Sequence, residues 1–269
     1  MNTATFPSRL GVVGASMRRE WLSHRLNRFL YAHVALVLVA GALPLLSPGE
    51  ALGRGAPWWL MHAVLYAVSL SAVLFGLSSS QAEAEELPWI LGQPTGVGTW
   101  LSGKIAALVA IVAVSTSLIG VPVALAGAGS AELAITVAGA SAVSVVCALL
   151  GFVVGAWIRD PVRGLAASLA MWLVLLFGVD LLLLAIAGAP WIQGNPDVWV
   201  APLMASPLDA FRVTVLFSVE RAAFSAIQPG RLAGWWSANS ALWLATLTLG
   251  WSALAFLAAW LGARRRLDD

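Results

Sequence analysis

The residues most suggestive of chemistry in this chain are Gly98-Thr-Trp-Leu-Ser-Gly103-Lys104, which spell the first seven positions of a phosphate-cradling P-loop. The eighth position should supply a Ser or Thr hydroxyl for magnesium, and here it is Ile105. A P-loop also joins a buried strand to a helix, whereas this run leads straight into an apolar block. It is therefore not an ATP site, and Lys104 reads instead as an anchor that snorkels from the inner end of a membrane helix. The other catalytic options fail on spacing. His24, His33 and His62 are dispersed, and no His-Glu-x-x-His, Cys-x-x-Cys or Gly-x-Ser-x-Gly occurs. Met61 and His62 are adjacent, so on a helix they face different directions and read as packing residues. Cys147 is the one cysteine, which excludes an intramolecular disulfide and leaves it a small core residue. The chain reads as non-catalytic, with no cofactor or metal bound by itself.

The remaining polar features gain meaning from their apolar surroundings. Asp180 sits deep in an apolar run, where a charge must be paired, protonated or turned to water. The hydroxyls of Ser115, Thr116 and Ser117 are candidate partners for a polar inter-helix bond, and a place on a substrate or ion pathway is the alternative. Ser206-Pro207-Leu208-Asp209 spells a helix start, with a Ser cap, Pro at the first position and an acid in the first turn. Asp209 and Arg212 then share a face at i,i+3. Gly151-Phe-Val-Val-Gly155 is a close-packing motif for membrane helices, read as intramolecular packing.

These residues need a scaffold, and composition says what solvent it lives in. Sixty per cent of the 269 residues are hydrophobic (60%) and only 10% are charged, against about 25% charged in ordinary soluble domains. The apolar residues come in blocks long enough to cross a bilayer as helices, at 29–46, 58–78, 105–126, 133–158, 164–189 and 238–262. Strand alternation is missing from them. The expectation is an all-α membrane protein of six transmembrane helices in a single permease-like domain, 1–269, with a long, partly helical outer loop between spans five and six.

The basic residues then orient it. Eleven of them, Arg9, Arg18, Arg19, Arg25, Arg28, Lys104, Arg159, Arg163, Arg264, Arg265 and Arg266, fall on one side, and four, Arg54, Arg212, Arg221 and Arg231, on the other. This asymmetry places both termini in the cytoplasm. The net charge of +2, despite a basic pI, gives no nucleic-acid footprint. Trp58, Trp59, Trp191, Trp235 and Trp236 belong at the outer interface, and Trp157 and Trp260 at the inner one. Residues 1–28 form a basic lead-in segment, retained rather than cleaved, whose stretch from Met17 to Arg28 is expected to be helical although Met17, Trp21, Leu22 and Leu26 share no clean face. Residues 78–104 form an inner loop with Glu83, Glu85, Glu86, Gln93 and Pro94. Residues 190–237 form the outer loop, too rich in aromatic anchors for a solvated tether.

The order of these features resembles a known family. Arg18-Arg19-Glu20 ahead of the first span, an acidic inner loop running into Gln93-Pro94 and Gly103-Lys104, and a terminal Arg-Arg-Arg are similar to type-2 ABC transporter permeases. Val179-Asp180-Leu181-Leu182-Leu183, Asn195-Pro196 and Ser206-Pro207-Leu208-Asp209-Ala210-Phe211-Arg212 resemble the NosY type, the permeases of the copper-maturation transporter for nitrous oxide reductase. The resemblance implies a homodimer with a second copy of the chain, docked on a cytoplasmic ATPase subunit that binds the ATP and magnesium. It implies a cell inner-membrane location, surrounded by lipid, and a periplasmic copper-handling partner. In that reading Glu83, Glu85, Glu86, Gln93, Pro94 and Lys104 serve the ATPase-coupling loop, Arg18, Arg19 and Glu20 the lead-in, and Asp209, Phe211 and Arg212 the periplasmic partner or gate. A small-molecule, lipid or peptide exporter, and a membrane scaffold without ATP coupling, are the alternatives.

Overall fold

The computed structural model describes residues 9–24, 27–46, 50–82, 97–186, 188–189, 195–219 and 231–268. Among these residues every regular element is helical. The chain is a multi-pass membrane protein with six helices long and apolar enough to cross a bilayer.

Helix α1, Arg9–Ser23, precedes the spans. Span one is α2, Arg28–Ala42, prolonged by a 3-10 turn at Leu43–Leu46. Span two joins α3, Glu50–Ala63, through a π turn at Val64–Val68 to α4, Ser69–Gln81. Span three is α5, Val97–Ser117, which runs through a 3-10 turn into the short α6, Val121–Leu125. Span four is α7, Ala131–Trp157, and span five is α8, Pro161–Ile186. Two shorter helices follow, α9, Pro196–Ala205, and α10, Pro207–Val219. Span six is α11, Arg231–Asp268, kinked at Asn239.

Helix starts follow local capping chemistry. Asn27 accepts a hydrogen bond from the Phe29 amide at 2.9 Å, Ser130 from Leu133 at 3.1 Å and Asp160 from Arg163 at 2.8 Å, each satisfying an amide that has no partner within its own helix. Two expected span starts move upstream, to Val97 rather than 105 and to Arg231 rather than 238. Hydropathy stops at Lys104, which lies within a continuing helix, and the last span's helix opens at Arg231, ahead of its apolar block. Residues 97–104 therefore belong to span three and not to the inner loop, and residues 231–237 to span six and not to the outer loop.

Span four is the axis of the bundle, packed against α4, α5, α10 and α11. Without a hydrophobic force to drive helices together in lipid, close packing of small residues takes over. A side chain at Gly151 would collide with the Val73 backbone, one at Gly76 with the Ala148 backbone, and one at Gly155 with Ser80. The Gly151–Gly155 motif thus is an intramolecular seam, joining spans two and four. Of the apolar windows of those spans, 61% is buried in each case, against 11% in spans five and six, so the last two spans line the periphery. Among the tryptophans, Trp59, Trp157 and Trp235 are exposed, but Trp236 is buried and meets Phe217 edge-on at 5.8 Å. Trp236, expected at the outer interface, turns its ring inward against α10 near the start of span six.

Candidate functional sites at the two ends of the bundle

At the end where spans two and four finish, α1 lies across spans two and three. Its outward residues include the large apolar ones, Met17, Trp21 and Leu22, beside Arg18 and Arg19, while Glu20 and His24 are buried. The absence of a clean apolar face in the sequence has its counterpart here: the helix docks through Glu20 and His24. Gly103 admits it, since a side chain there would meet the Val13 carbonyl oxygen at 2.6 Å. The Glu20 carboxylate then gathers His24 Nε2 at 2.9 Å, Lys104 Nζ at 3.5 Å and the donating Ser79 hydroxyl at 2.9 Å. Lys104 is 2% exposed, and its ammonium also lies 5.7 Å from the ring centroids of Trp100 and Phe152. The reading of Lys104 as a snorkelling anchor is therefore corrected. A buried carboxylate within reach is a better partner than distant water, because the ion pair offsets the desolvation of both charges.

Burial alone would raise the Glu20 carboxyl pKa. The His24 hydrogen bond, the charges of Lys104 and His24 and the Ser79 hydroxyl together outweigh it and hold the group below its ordinary value. Sequence reasoning placed Glu20 in the lead-in but missed His24, whose signal was its position four residues on, the same face of a helix. Arg18 and Arg19 are exposed on α1. Glu83, Glu85, Glu86, Gln93 and Pro94 lie outside the described residues; the structure describes the chain up to Ala82, which lines the same cavity as this network, and again from Val97, at the start of the helix that carries Lys104.

The opposite end carries a second ionic group. Helices α9 and α10 meet at a bend of 113°, and α10 starts at Pro207 with the Asp209 amide donating to the Ser206 hydroxyl at 3.4 Å, as the helix-start pattern predicts. Arg212 donates to both carboxylate oxygens of Asp180, at 3.0 and 2.8 Å, and lies 2.9 Å from Asp209. The expected Asp209–Arg212 pair is present. The expected hydroxyl partners of Asp180 are not: Ser115 and Ser117 donate to carbonyls of their own helix, and Thr116 meets His33. A bidentate guanidinium outcompetes such hydroxyls for a carboxylate. Asp209 is buried, and its Oδ2 has no hydrogen-bond partner among the described residues. Phe211 is fully buried against Gly139, where a side chain would meet its ring at 2.7 Å. It fastens α10 to span four and is not presented to a partner. Trp243 and Trp251 of span six donate to the last carbonyls of α9, at Met204 and Ala205, at 3.0 and 3.1 Å.

A third polar group lies inside the bundle and was missed. His33 of span one is 0% exposed, with Nδ1 2.7 Å from Ser71 and Nε2 3.2 Å from Thr116. The Ser71 hydroxyl donates to the Val68 carbonyl, so its oxygen accepts from Nδ1–H and Thr116 donates to Nε2. The group ties spans one, two and three. An ionisable residue within an apolar run was the available signal. Among the described residues no three His, Cys, Asp or Glu side chains group to hold a metal ion. The stretch from Gly98 to Lys104 is helix, without the loop that cradles phosphate.

The chain matches no family model and no curated protein.

Proposed function

We propose that this chain is the membrane subunit of an ATP-driven ABC transporter, in which a separate cytoplasmic ATPase moves the spans. The observation that carries the reading is the rigid platform around Glu20. One buried ionic network joins the helix before the first span to span two, through Ser79, and to span three, through Lys104. A push delivered between Ala82 and Val97 would reach α1 and two spans at once. This is what an ATPase-coupling loop requires, and it agrees with the resemblance of the acidic inner segment to type-2 permeases. We take the arginine asymmetry to orient this platform toward the cytoplasm and the bent pair α9–α10 outward, in a cell inner membrane as the resemblance implies.

At the outer end, the bent pair is held to span five by Arg212 and to span six by the two tryptophan bonds. Movement of the spans would shift it as a unit. We assign it to a periplasmic partner that handles copper for nitrous oxide reductase, following the resemblance of Ser206–Arg212. A second copy of the chain completes the permease.

Co-purification of the full-length chain with its cellular partners tests the reading. The expected result is a stoichiometric Walker-motif ATPase whose nucleotide state alters cross-linking between α9–α10 and span five. A lone oligomer indifferent to ATP would identify a scaffold instead. Single cysteines at Ser8, Gly92 and Asp268 test the orientation, and labelling of any of them from outside intact cells would invert it.

A further inference from the structure

Two acids compete for one cation at the bend between α9 and α10, and the competition is uneven. Arg212 gives two hydrogen bonds to Asp180, at 3.0 and 2.8 Å, but a single contact of 2.9 Å to Oδ1 of Asp209. Counted as ions, two carboxylates and one guanidinium leave a negative charge over. We propose that the closed bend binds one exchangeable proton, carried on Oδ2 of Asp209, and that loss of this proton lets α10 part from span five.

The orphaned oxygen is the first argument. Oδ2 of Asp209 has less than 1 Å² of accessible surface and no hydrogen-bond partner among the described residues. Neither a donor side chain nor solvent therefore stabilises a charge on it, and a buried carboxyl group so placed neutralises by taking up a proton. The contrast with Asp180 is the second argument. Asp180 has both oxygens bonded to the guanidinium and a side chain 43% exposed, whereas that of Asp209 is 4% exposed. When two carboxyl groups share a site, the less stabilised one keeps the proton.

The charges that act on Asp209 are those of Arg212 and Asp180. The other elements packed on α10 hold titratable groups that are engaged or turned elsewhere. Asp197 of α9 accepts the Leu232 amide at 3.1 Å, and His62 of α3 is stacked between Trp58 and Tyr66. The Tyr66 hydroxyl, within electrostatic reach of Arg212, is neutral. Glu132 lies in the first turn of span four, about two turns before the Gly139 that faces Phe211, and Arg231 is exposed at the start of span six.

The consequence follows from the competition. While Asp209 is neutral, Arg212 belongs to Asp180 and ties α10 to span five. Once the Oδ2–H bond breaks and the proton passes to the aqueous medium, Asp209 carries a full charge three residues from Arg212 on its own helix. It then draws the guanidinium from Asp180. The closed bend thus holds one proton more than the open one, so rising pH favours opening by at most about tenfold per pH unit. This holds whether or not an ATPase moves the spans.

The test uses the full-length chain in a neutral detergent. At neutral pH its infrared spectrum should contain the carbonyl band of a protonated carboxyl group, and Asp209→Asn should remove it. Asp180→Asn should remove it as well, because Arg212, freed of its other acid, then holds Asp209 as a carboxylate; a group protonated through burial alone would keep the band. Nitroxide labels on cysteines at Leu216 of α10 and Leu184 of span five should separate as pH rises, the open population growing by up to about tenfold per unit. Asp209→Asn should hold the labels close at every pH, and His62→Gln, at the exposed neighbour, should leave the dependence as it is. Absence of the band from the unmodified chain, its persistence in either Asp variant, or a pH dependence that survives Asp209→Asn or vanishes in His62→Gln would overturn the proposal. The first of these outcomes needs no variant to fold.

Discussion

The two ends of the bundle solve the same problem, a carboxylate near a membrane, in different ways. At the α1 end one acid, Glu20, is surrounded by a lysine, a histidine and a serine, all of them buried. At the α9–α10 end one arginine is divided between two acids, and it and Asp180 stay partly exposed, their side chains at 31% and 43%. The first arrangement is a weld: its charge balance is local and its members are buried, so separating the parts strands a buried charge. The second resembles a latch, in which Arg212 and Asp180 are only partly enclosed and one cation is shared between two acids on different helices. The difference suits a machine that takes up force at one end and moves at the other.

The weld should break most expensively at Lys104. Replacement by Ala leaves Glu20 buried without its cation, at a cost of about 3–5 kcal/mol. The expected outcome is release of α1, seen as new protease cleavage within Arg9–Ser23 and a lower unfolding temperature in detergent. Lys104→Met with Glu20→Gln removes both charges and should recover most of the loss. If Lys104→Ala alone leaves α1 protected, the network is not what docks the helix.

Acid should loosen the same end through Glu20. Its carboxyl is held below the ordinary value of 4.5, so the folded state binds the proton less readily than the unfolded chain. The stability contributed is complete above the unfolded pKa and is lost as pH falls through the lower, folded one. Protection of α1 should therefore persist at neutral pH and decline below the ordinary carboxylate range. Glu20→Gln should flatten that decline, and an unchanged acid profile in this variant would move the effect to another group.

Arg212→Ala comes next, at about 1–3 kcal/mol, the cost of leaving a buried carboxylate without its hydrogen-bonding partner. The buried Asp209 would lose its cation, and α10 should part from span five while α1 stays protected. Cysteine cross-linking between α10 and span five reads this directly. In cells, the double variant Asp209→Asn with Arg212→Ala should weaken the outer partner and leave ATPase assembly intact. Normal partner binding and normal nitrous oxide reductase maturation would end that part of the proposal.

What could be read from sequence divides along the same physical lines. Spans were legible because hydropathy is local and lipid demands it of every crossing helix. The Asp209–Arg212 pair and the Ser206–Pro207 start were legible because helical spacing fixes them within one turn. Glu20 with Lys104 was not, since the partners belong to different helices and a lysine near a span's end reads as the boundary. Asp180 with Arg212 was hidden similarly, with an outer segment of unpredicted path between them. Asp180 was still marked as needing a partner, because the cost of a lone membrane charge is itself a sequence-level argument. His33 carried the same argument and was passed over for want of a second histidine nearby.

The smallest expected effect is the one that separates a latch from a second weld. Asp180→Asn removes one of the two carboxylates on Arg212 while keeping the side chain's shape and one acceptor oxygen. Arg212 keeps Asp209 at 2.9 Å, so no buried charge is stranded, and the lost pair was half exposed. Its loss should therefore be about 1 kcal/mol, the scale of polar bonds between membrane helices, against the larger cost at Lys104. Stability in detergent should barely change. The bend should instead become easier to move, with α10 cross-linking to span five reduced and its labelling by an impermeant thiol reagent increased. A loss as large as that of Lys104→Ala would show the outer triad to be as rigid as the inner network, and the contrast between the two ends would fail. Unchanged cross-linking would mean that Asp209 alone holds Arg212, leaving Asp180 a bystander on span five.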